Sequence, residues 1–278
     1  MDAAMSNMLA LPELKESSLE VENRLAVLTL KRNDVRNALT GTALVDDIVR
    51  TVRWVNGEEA ISVLILTGDG SAFCSGGNVK QMQARSDSFS GSPLEIQDQY
   101  RRGIQQLPLA MHSAEIPIIA AVNGPAMGAG FDLACMCDIR IASTKAQMGE
   151  TFINLGITPG DGGAWFLQRL LGYQRAAELT LTGRIIRADE ALAIGLFLEV
   201  VEPEELMPRV RELAAQMAAK PPQALRLTKR MMKLAQRSEL ADFLDLCATF
   251  QAMAHHTEDH HEAVEAFLEK RVPSYKGK

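Results

Sequence analysis

The chain has 278 residues, of which 47% are hydrophobic and 23% charged, and it carries a net charge of −6 at pH 7. This composition is ordinary for a globular protein, and the length allows a sizeable core. The acidic balance argues against a nucleic-acid partner, which would need a basic footprint. No apolar run approaches the roughly 20 residues that span a bilayer, and no secretory leader is visible. We therefore expect no membrane contact and a cytoplasmic location.

Neither the cysteines nor the histidines predict a metal site. The four cysteines lack disulfide or zinc spacing, so we expect reduced thiols that pack in the interior: Cys74, Cys135, Cys137 and Cys247. A histidine cluster lies near the carboxyl terminus: His255, His256, His260 and His261. His256 and His260 share one helical face, which is compatible with zinc, but no third ligand lies on that face. A solvated helix surface is the favoured interpretation.

Strand and helix patterns alternate through the first two thirds of the chain. The predicted elements are a strand over Leu19–Leu30, a helix from a Thr40 cap to about Val55, a strand over Ile61–Thr67, a helix over Ile96–Met111 and a strand over Ile118–Val122. Such alternation favours an α/β fold with a parallel or mixed sheet. From about Arg175 onward the pattern is almost entirely helical.

The segment Ile118–Cys137 is the most informative part of the chain. Its apolar strand stops at the turn residues Asn123-Gly124-Pro125, and Gly128-Ala129-Gly130 then opens an apolar helix. The first amides of a helix lack partners within it, and the helix dipole favours negative charge there. Asp132 lies on the same helical face, above those amides. A simple anion site would avoid that repulsion, whereas a site that forms an oxyanion and moves a proton could use it.

A second glycine turn follows another predicted buried strand. After Ile61–Thr67 come the loop Gly68–Ser71 and the small-residue turn Ser75-Gly76-Gly77-Asn78. Two turns that present amides at the ends of two strands could converge on one oxygen atom. A nucleotide phosphate loop is the rival interpretation, but the chain lacks both the G-x-G-x-x-G spacing and the Lys-Ser/Thr of a P-loop.

These two segments resemble the signature segments of the crotonase family, the enoyl-CoA hydratase/isomerase superfamily. The matching stretches are AFCSGGNVKQM at 72–82 and AAVNGPAMGAGFDLACMCDIRIAS at 120–143, with LKRNDVRNALT, LGITPGDGGAWFLQRLLG and EAVEAFLEKRVP in the same order. The resemblance covers nearly the whole chain. It implies a crotonase-like α/β fold, a spiral of ββα units over residues 1–200, with a helical region over 201–278 that forms trimers or dimers of trimers.

The resemblance also implies an acyl-CoA thioester as substrate, with no further cofactor. The thioester oxygen would rest in an oxyanion hole made by the amides of Gly77 and Ala129. Asp132 takes the place of a family glutamate that acts on water or a proton, and it is one methylene group shorter. Phe152 stands where hydratases have their second catalytic glutamate, so this chain has no carboxylate at that position.

Two nearby acids are candidates to replace the missing carboxylate. Asp161, in the Pro159–Gly163 turn, is preferred because some isomerases of the family, and a carbon–carbon bond hydrolase, resemble this chain in having an aspartate at or near this turn. Glu150 is the alternative. Each acid also has a structural interpretation. Asp161 could only cap the helix that begins near Gly162, Glu150 could form an ion pair, and Asp132 could be a buried partner of an arginine.

The resemblance extends the expected site to the substrate contacts. Residues around the two glycine turns and in the last helix are expected to bind CoA or the acyl group: Arg36, Ala38, Ala72, Ser75, Gly76, Gly77, Asn78, Val79, Gly128, Phe152, Phe267 and Lys270. Phe267 and Lys270 would close over the CoA of a neighbouring subunit, although by composition Lys270 fits the polar face of a helix. Four apolar residues could pack on a partner subunit or in the chain's own core: Met231, Met232, Phe243 and Phe250.

Three functions are therefore open at the level of sequence. The first is hydration of a 2-enoyl-CoA, which is easiest to arrange with two acids. The second is movement of the double bond by one carboxylate, for which Asp161 is the candidate and an apolar Phe152 is favourable. The third is acyl-CoA binding without catalysis. The family resemblance favours hydration.

Overall fold

The computed structural model describes residues 9–278 and contains two β-sheets. The strands are β1 Ser17–Glu22, β2 Leu25–Leu30, β3 Val63–Gly68, β4 Ile118–Val122, β5 Ala126–Met127, β6 Ile139–Ser143, β7 Gln147–Gly149, β8 Ile186–Arg187 and β9 Glu199–Val201. The larger sheet has the strand order β1-β2-β3-β4-β6-β9, and the smaller has the order β5-β7-β8. The α/β fold class predicted from the sequence is confirmed.

Helices cover both faces of the larger sheet and form the carboxyl-terminal region. They are α1 Leu44–Gly57, α2 Val79–Ala84, α3 Pro93–Arg102, α4 Gln106–Ser113, α5 Ala129–Met136, α6 Gly163–Leu171, α7 Tyr173–Thr182, α8 Ala188–Ala193, α9 Leu206–Ala218, α10 Pro222–Ala235, α11 Leu240–His255 and α12 Glu258–Glu269. None of the helices between residues 9 and 278 is both long and apolar enough to cross a membrane.

The larger sheet is parallel except at its first strand. β2, β3, β4, β6 and β9 run parallel to one another, and β1 pairs antiparallel with β2. β3 and β4 are buried along their whole length, as expected for parallel strands covered on both faces. The apolar residues of α9 pack on one face of the sheet, whereas α1, α4 and α5 contribute to the main core on the other.

Three element predictions are wrong in detail. The single strand expected over Leu19–Leu30 is a hairpin, because Asn23 and Arg24 adopt positive φ angles of 47° and 66° and reverse the chain. The helix expected over Ile96–Met111 is two helices, α3 and α4, separated at Gly103. Thr40 does not cap α1, which begins at Leu44; its hydroxyl instead accepts a hydrogen bond of 2.6 Å from the amide of Asn78.

Candidate active site

The structure brings the two glycine turns into contact. Gly76 has a φ of +79°, and a Cβ on it would lie 2.3 Å from the carbonyl oxygen of Met127 and 2.9 Å from the amide nitrogen of Ala129. Only glycine allows this approach. A hydrogen bond of 3.0 Å from the Met127 amide to the Cys74 carbonyl oxygen further joins the segments. The two turns expected from the sequence to converge therefore lie side by side.

Both predicted donor amides lack an acceptor. Within residues 9–278, neither the Gly77 N–H nor the Ala129 N–H donates a hydrogen bond to the protein. Ala129 is the first residue of α5, after Gly128 at a φ of 52°, so its N–H is one of the free donors at a helix start. Both residues line the same cavity. The cavity is thus bordered by two residues with unpaired N–H donors and by the start of α5, where the helix dipole is positive. These features suit a negatively charged oxygen.

Asp132 is buried directly behind this cavity. Its side chain is completely enclosed, and neither carboxylate oxygen has a hydrogen-bond partner among the described residues. The arginine partner considered for it is wrong, because no arginine pairs with it. Burial raises the pKa of Asp132 well above its usual value, and the charges of Asp161 and Glu150 add to that effect. Burial thus favours the protonated form of Asp132.

Asp161 is the one of the three candidate acids that lines the cavity. It lies on the cavity wall, although only 3% of its surface is exposed, and its oxygens have no hydrogen-bond partner within residues 9–278. It does not cap α6: the N-cap is Gly162, at a φ of 108°, and no side chain caps this helix. Burial raises the pKa of Asp161, although its interaction with the neighbouring Asp132 carboxyl lowers it. The two acids therefore interact, and burial favours the protonated form of each.

Glu150 lies near this pair but faces elsewhere. It is buried, it does not line the cavity, and the hydroxyl of Thr180 donates a hydrogen bond of 2.7 Å to its Oε2. No ion pair includes it within the described chain, so that interpretation is wrong. Burial raises the pKa of Glu150, the Thr180 hydrogen bond lowers it, and the charge of Asp161 raises it. Glu150 is therefore not placed to contact a ligand in the cavity.

The cavity has a volume of about 230 Å³ and a largely apolar wall. Ser75, Gly77, Val79, Gly128, Ala129, Phe152 and Asp161 are the predicted residues that line it. Sequence reasoning missed several other wall residues: Leu39, Met82, Phe89, Tyr100, Ile104, Leu155 and Ile157. Nothing in the local sequence distinguishes these side chains from ordinary packing residues.

A second groove adjoins the cavity. The groove continues past Gly91, which precedes α3, and past Ile96 within α3. The cavity and the groove share six wall residues: Val79, Met82, Phe89, Tyr100, Leu155 and Ile157. The volume of the groove is about 600 Å³. The reaction cavity therefore has an apolar extension that leads toward the surface.

The remaining predicted binding residues lie outside the cavity wall. Arg36, Ala38, Ala72, Gly76 and Asn78 form the turns that carry it, and the Asn78 side chain caps α2 by accepting from two backbone amides. Phe267 and Lys270, at the end of α12, do not line the cavity of their own chain, and Phe267 is 82% exposed. Of the four apolar candidates for a subunit contact, Phe250 is buried within the chain, whereas Met232 is exposed.

The histidine cluster lies apart from the cavity, across the α11–α12 junction. The Nδ1 of His255 and the Nε2 of His260 are 2.9 Å apart. Within residues 9–278, no group of three histidine, cysteine or carboxylate side chains is arranged to hold a metal ion. None of the four histidines lines the cavity.

Comparisons with known proteins agree with this geometry. The sequence model of the enoyl-CoA hydratase/isomerase family matches residues 20–278. A crotonyl-CoA hydratase of Syntrophomonas wolfei is 38% identical over 258 residues, which are 92% of this chain and 96% of that protein. A short-chain-enoyl-CoA hydratase of Clostridium acetobutylicum is 37% identical over 260 residues, covering 93% of this chain and 97% of that protein. The crystal structure of an enoyl-CoA hydratase from Bacillus anthracis matches with a TM-score of 0.88 at 33% identity, over 95% of this chain and 100% of that one.

Proposed function

Because this chain belongs to the enoyl-CoA hydratase/isomerase family and is an enzyme of that family, we propose that it adds water to a 2-enoyl-CoA and forms a 3-hydroxyacyl-CoA. One observation carries this proposal. Gly77 and Ala129, whose amides are unpaired among the described residues, and Asp161 line the same cavity. This arrangement supports an oxyanion site and a proton carrier that act on one substrate.

The two amides act on the thioester oxygen. Both N–H groups donate to it and stabilise the negative charge that develops when water attacks the β-carbon. A donor of this kind is worth roughly 3–4 kcal/mol in the barrier. The coenzyme A ester is the substrate itself, and no further cofactor takes part in this step.

Asp161 carries the proton from water to carbon. The water oxygen bonds to the β-carbon, one water proton moves to the Asp161 carboxylate, and the double-bond electrons move toward the thioester oxygen. The same proton is then delivered to the α-carbon. In this proposal the neighbouring Asp132, whose pKa is raised well above its usual value by burial, carries a proton and directs it toward the Asp161 carboxylate. In this mechanism Asp132 is a positioning residue and Asp161 is the catalytic acid and base.

Isomerisation of a 3-enoyl-CoA is the second candidate, favoured by a specific observation. Of the three buried acids, Asp161 lines the cavity, as Phe152 does, whereas Asp132 and Glu150 do not. One carboxylate can move a proton between the α- and γ-carbons, and an apolar Phe152 would help to exclude water. The same oxyanion hole would serve both reactions.

A direct assay separates the two reactions. Crotonyl-CoA should lose its ultraviolet absorbance on hydration, whereas a 3-enoyl-CoA should gain absorbance on isomerisation. Asp161→Asn should abolish both reactions, and Asp132→Asn should impair them strongly. Glu150→Gln is the matched buried control and should have a smaller effect. Full activity of Asp161→Asn would refute the proposed role of this acid, and turnover of the 3-enoyl-CoA alone would replace hydration by isomerisation.

We also propose that the enzyme works as a homotrimer or homohexamer. Large apolar side chains are exposed along the carboxyl-terminal helices, among them Met232, Leu240, Leu244, Met253, Phe267, Leu268 and Val272. Exposed apolar surface of this extent is typical of a protein interface. In such an assembly Phe267 and Lys270 would meet the CoA of the adjacent subunit, which they do not reach in their own chain.

Sedimentation and calorimetry test the assembly. We expect a sedimentation mass of three or six chains. Lys270→Ala should weaken CoA-ester binding at low salt because a phosphate contact is lost, whereas Lys145→Ala, at another exposed lysine, should not. A mass of one chain would contradict the assembly, and unchanged affinity of Lys270→Ala would contradict the contact.

A further inference from the structure

We propose that Tyr100 and Asp161 together bind the attacking water. The phenol of Tyr100 would then take over part of the function of the carboxylate that is absent at Phe152. This inference rests on the proposed hydration. It addresses the feature that distinguishes this cavity: Asp161 is the one buried carboxylate among the described wall residues, the other wall acid, Asp46, is exposed, and hydration is easiest with two acids at the reacting carbons.

Tyr100 lies beside the turn that carries Asp161. The edge of its ring packs on Gly160, where a Cβ would come within 2.9 Å of the ring carbon Cε1. Gln105, in the junction between α3 and α4, fixes this arrangement. Its side-chain amide donates a hydrogen bond of 2.7 Å to the carbonyl oxygen of Gly160, and its own N–H donates to the carbonyl oxygen of Tyr100 at 3.0 Å. Tyr100 and Asp161 are thereby held on one wall of the cavity.

Among the described residues the Tyr100 hydroxyl is free, as are those of Thr151 and the exposed Ser88, whereas the other three hydroxyls around the cavity are engaged. Within residues 9–278 the phenol makes no hydrogen bond. The Thr40 hydroxyl accepts from the Asn78 amide, that of Thr42 donates to the carbonyl oxygen of Ala38, and that of Ser75 donates to the carbonyl oxygen of Val35. Tyr100 therefore has hydrogen-bonding capacity left for water.

Thr151 is the competing hydroxyl. It also lines the cavity, and its oxygen would lie 3.7 Å from a Cβ on Gly128, at the start of α5. That location is beside the predicted oxyanion hole and not beside the Asp161 turn. The two hydroxyls thus occupy different parts of the cavity, and Tyr100 is the one next to the acid.

A neutral hydroxyl suits this position. Burial raises the pKa of the Tyr100 phenol, and the charge of Asp161 raises it further. The phenol consequently keeps its proton at neutral pH and adds no negative charge to a region that already holds the three acids Asp132, Asp161 and Glu150. A neutral phenol can accept one hydrogen bond from water and donate another.

The proposed step balances with Tyr100 unchanged. The bound water gives one proton to the Asp161 carboxylate and directs its second O–H to the phenol oxygen, and its lone pair bonds to the β-carbon. Asp161 then returns its proton to the α-carbon. The second O–H remains as the product hydroxyl group, next to the phenol. Tyr100 orients the nucleophile and exchanges no proton, so its loss should affect water addition and leave proton transfer at carbon intact.

Tyr100→Phe is the variant that tests this role. It removes the hydroxyl and keeps the ring that packs on Gly160. We expect kcat for crotonyl-CoA hydration to fall roughly tenfold or more, as for loss of a well-oriented hydrogen bond, with little change in KM. Exchange of the α-protons of butyryl-CoA in deuterium oxide should continue at the parental rate, because it needs only the oxyanion hole and Asp161. Tyr173→Phe, at a tyrosine that is 76% exposed, is the matched control and should change neither rate.

The outcomes distinguish this inference from the proposed function. If the parent enzyme hydrates crotonyl-CoA and Tyr100→Phe does so equally well, Tyr100 has no such role and the proposed function stands. A loss of hydration in Thr151→Val with none in Tyr100→Phe would transfer the role to Thr151. If Tyr100→Phe slows hydration and α-proton exchange equally, it acts on Asp161 and not on water. If the parent exchanges α-protons but adds no water, the proposed function fails and this inference fails with it.

Discussion

Gly163 packs directly against the buried carboxyl group of Asp132. A Cβ on Gly163 would lie 2.2 Å from Oδ1 of Asp132 and 2.4 Å from Oδ2. The φ angle of Gly163 is not positive, so its backbone conformation does not require glycine. Glycine is needed here because a side chain would collide with the Asp132 carboxyl group. The first residue of α6 thereby determines where the acid at the start of α5 is placed.

Gly163→Ala should displace Asp132 and disturb its contact with Asp161. We expect a large loss of turnover, together with a loss of about 1–3 kcal/mol in the free energy of unfolding from overpacking. Gly57→Ala is the control, because a Cβ on Gly57 has no neighbour within 4 Å. Assays of turnover and urea unfolding would measure both effects. Normal turnover of a folded Gly163→Ala protein would show that the Asp132 position tolerates displacement.

Ala129→Pro should remove one oxyanion donor while α5 stays intact. Proline is well accepted at the first position of a helix, where its missing N–H breaks no helical hydrogen bond. We expect turnover to fall by about two orders of magnitude or more. Ala129→Gly keeps the N–H and should retain most of the activity. A folded proline variant that turns over at the parental rate would exclude the Ala129 amide from the oxyanion hole.

Asp132→Asn should stabilise the protein increasingly as pH rises. Because the folded-state pKa of Asp132 is raised by burial, the folded protein binds this proton more tightly than the unfolded chain does. The parent protein therefore loses stability as pH rises from the unfolded pKa to the folded one. The Asp132→Asn variant has no carboxyl group to deprotonate, so it does not lose this stability. Its free energy of unfolding relative to the parent should therefore increase with pH, although the variant is less active than the parent.

Thermal unfolding at about pH 5 and about pH 8 would measure this difference. Asp245→Asn, at an exposed position on α11, serves as the control and should give the same offset at both pH values. An advantage of Asp132→Asn that shrinks with rising pH would mean that Asp132 is ionised in the folded protein.

The apolar groove next to the cavity should influence the preferred acyl chain length. Each buried methylene group improves binding about fourfold, so saturated acyl-CoAs should bind more tightly as the chain grows beyond four carbons. Ile96→Trp, which fills the groove away from the catalytic residues, should weaken binding of long chains and spare short ones. Leu94→Trp, at an exposed position on the same helix, is the control. Equal weakening at every chain length, measured by calorimetry, would show that the acyl chain lies elsewhere.

The local parts of the fold and the site follow from the sequence. β3 and β4 are continuous apolar runs, and their burial needs no knowledge of the rest of the chain. The turn at Gly76-Gly77 and the helix start at Ala129 were recognisable because glycine patterns and free helix amides depend on a few adjacent residues. The resemblance to a family added the expectation that the oxygen on which these two turns converge belongs to an acyl-CoA thioester.

The tertiary structure alone decided where the three candidate acids lie. The sequence named Asp132 and preferred Asp161 to Glu150, but it did not show which of them lines a cavity. Only packing encloses Asp132 over Gly163, turns Glu150 toward Thr180 and leaves Asp161 on the cavity wall. Burial and the field of neighbouring charges determine the pKa of a carboxyl group, and both arise from contacts between residues distant in the chain. Tyr100 became visible as a candidate for the same reason, because its place beside Gly160 depends on how α3 packs and not on any local pattern.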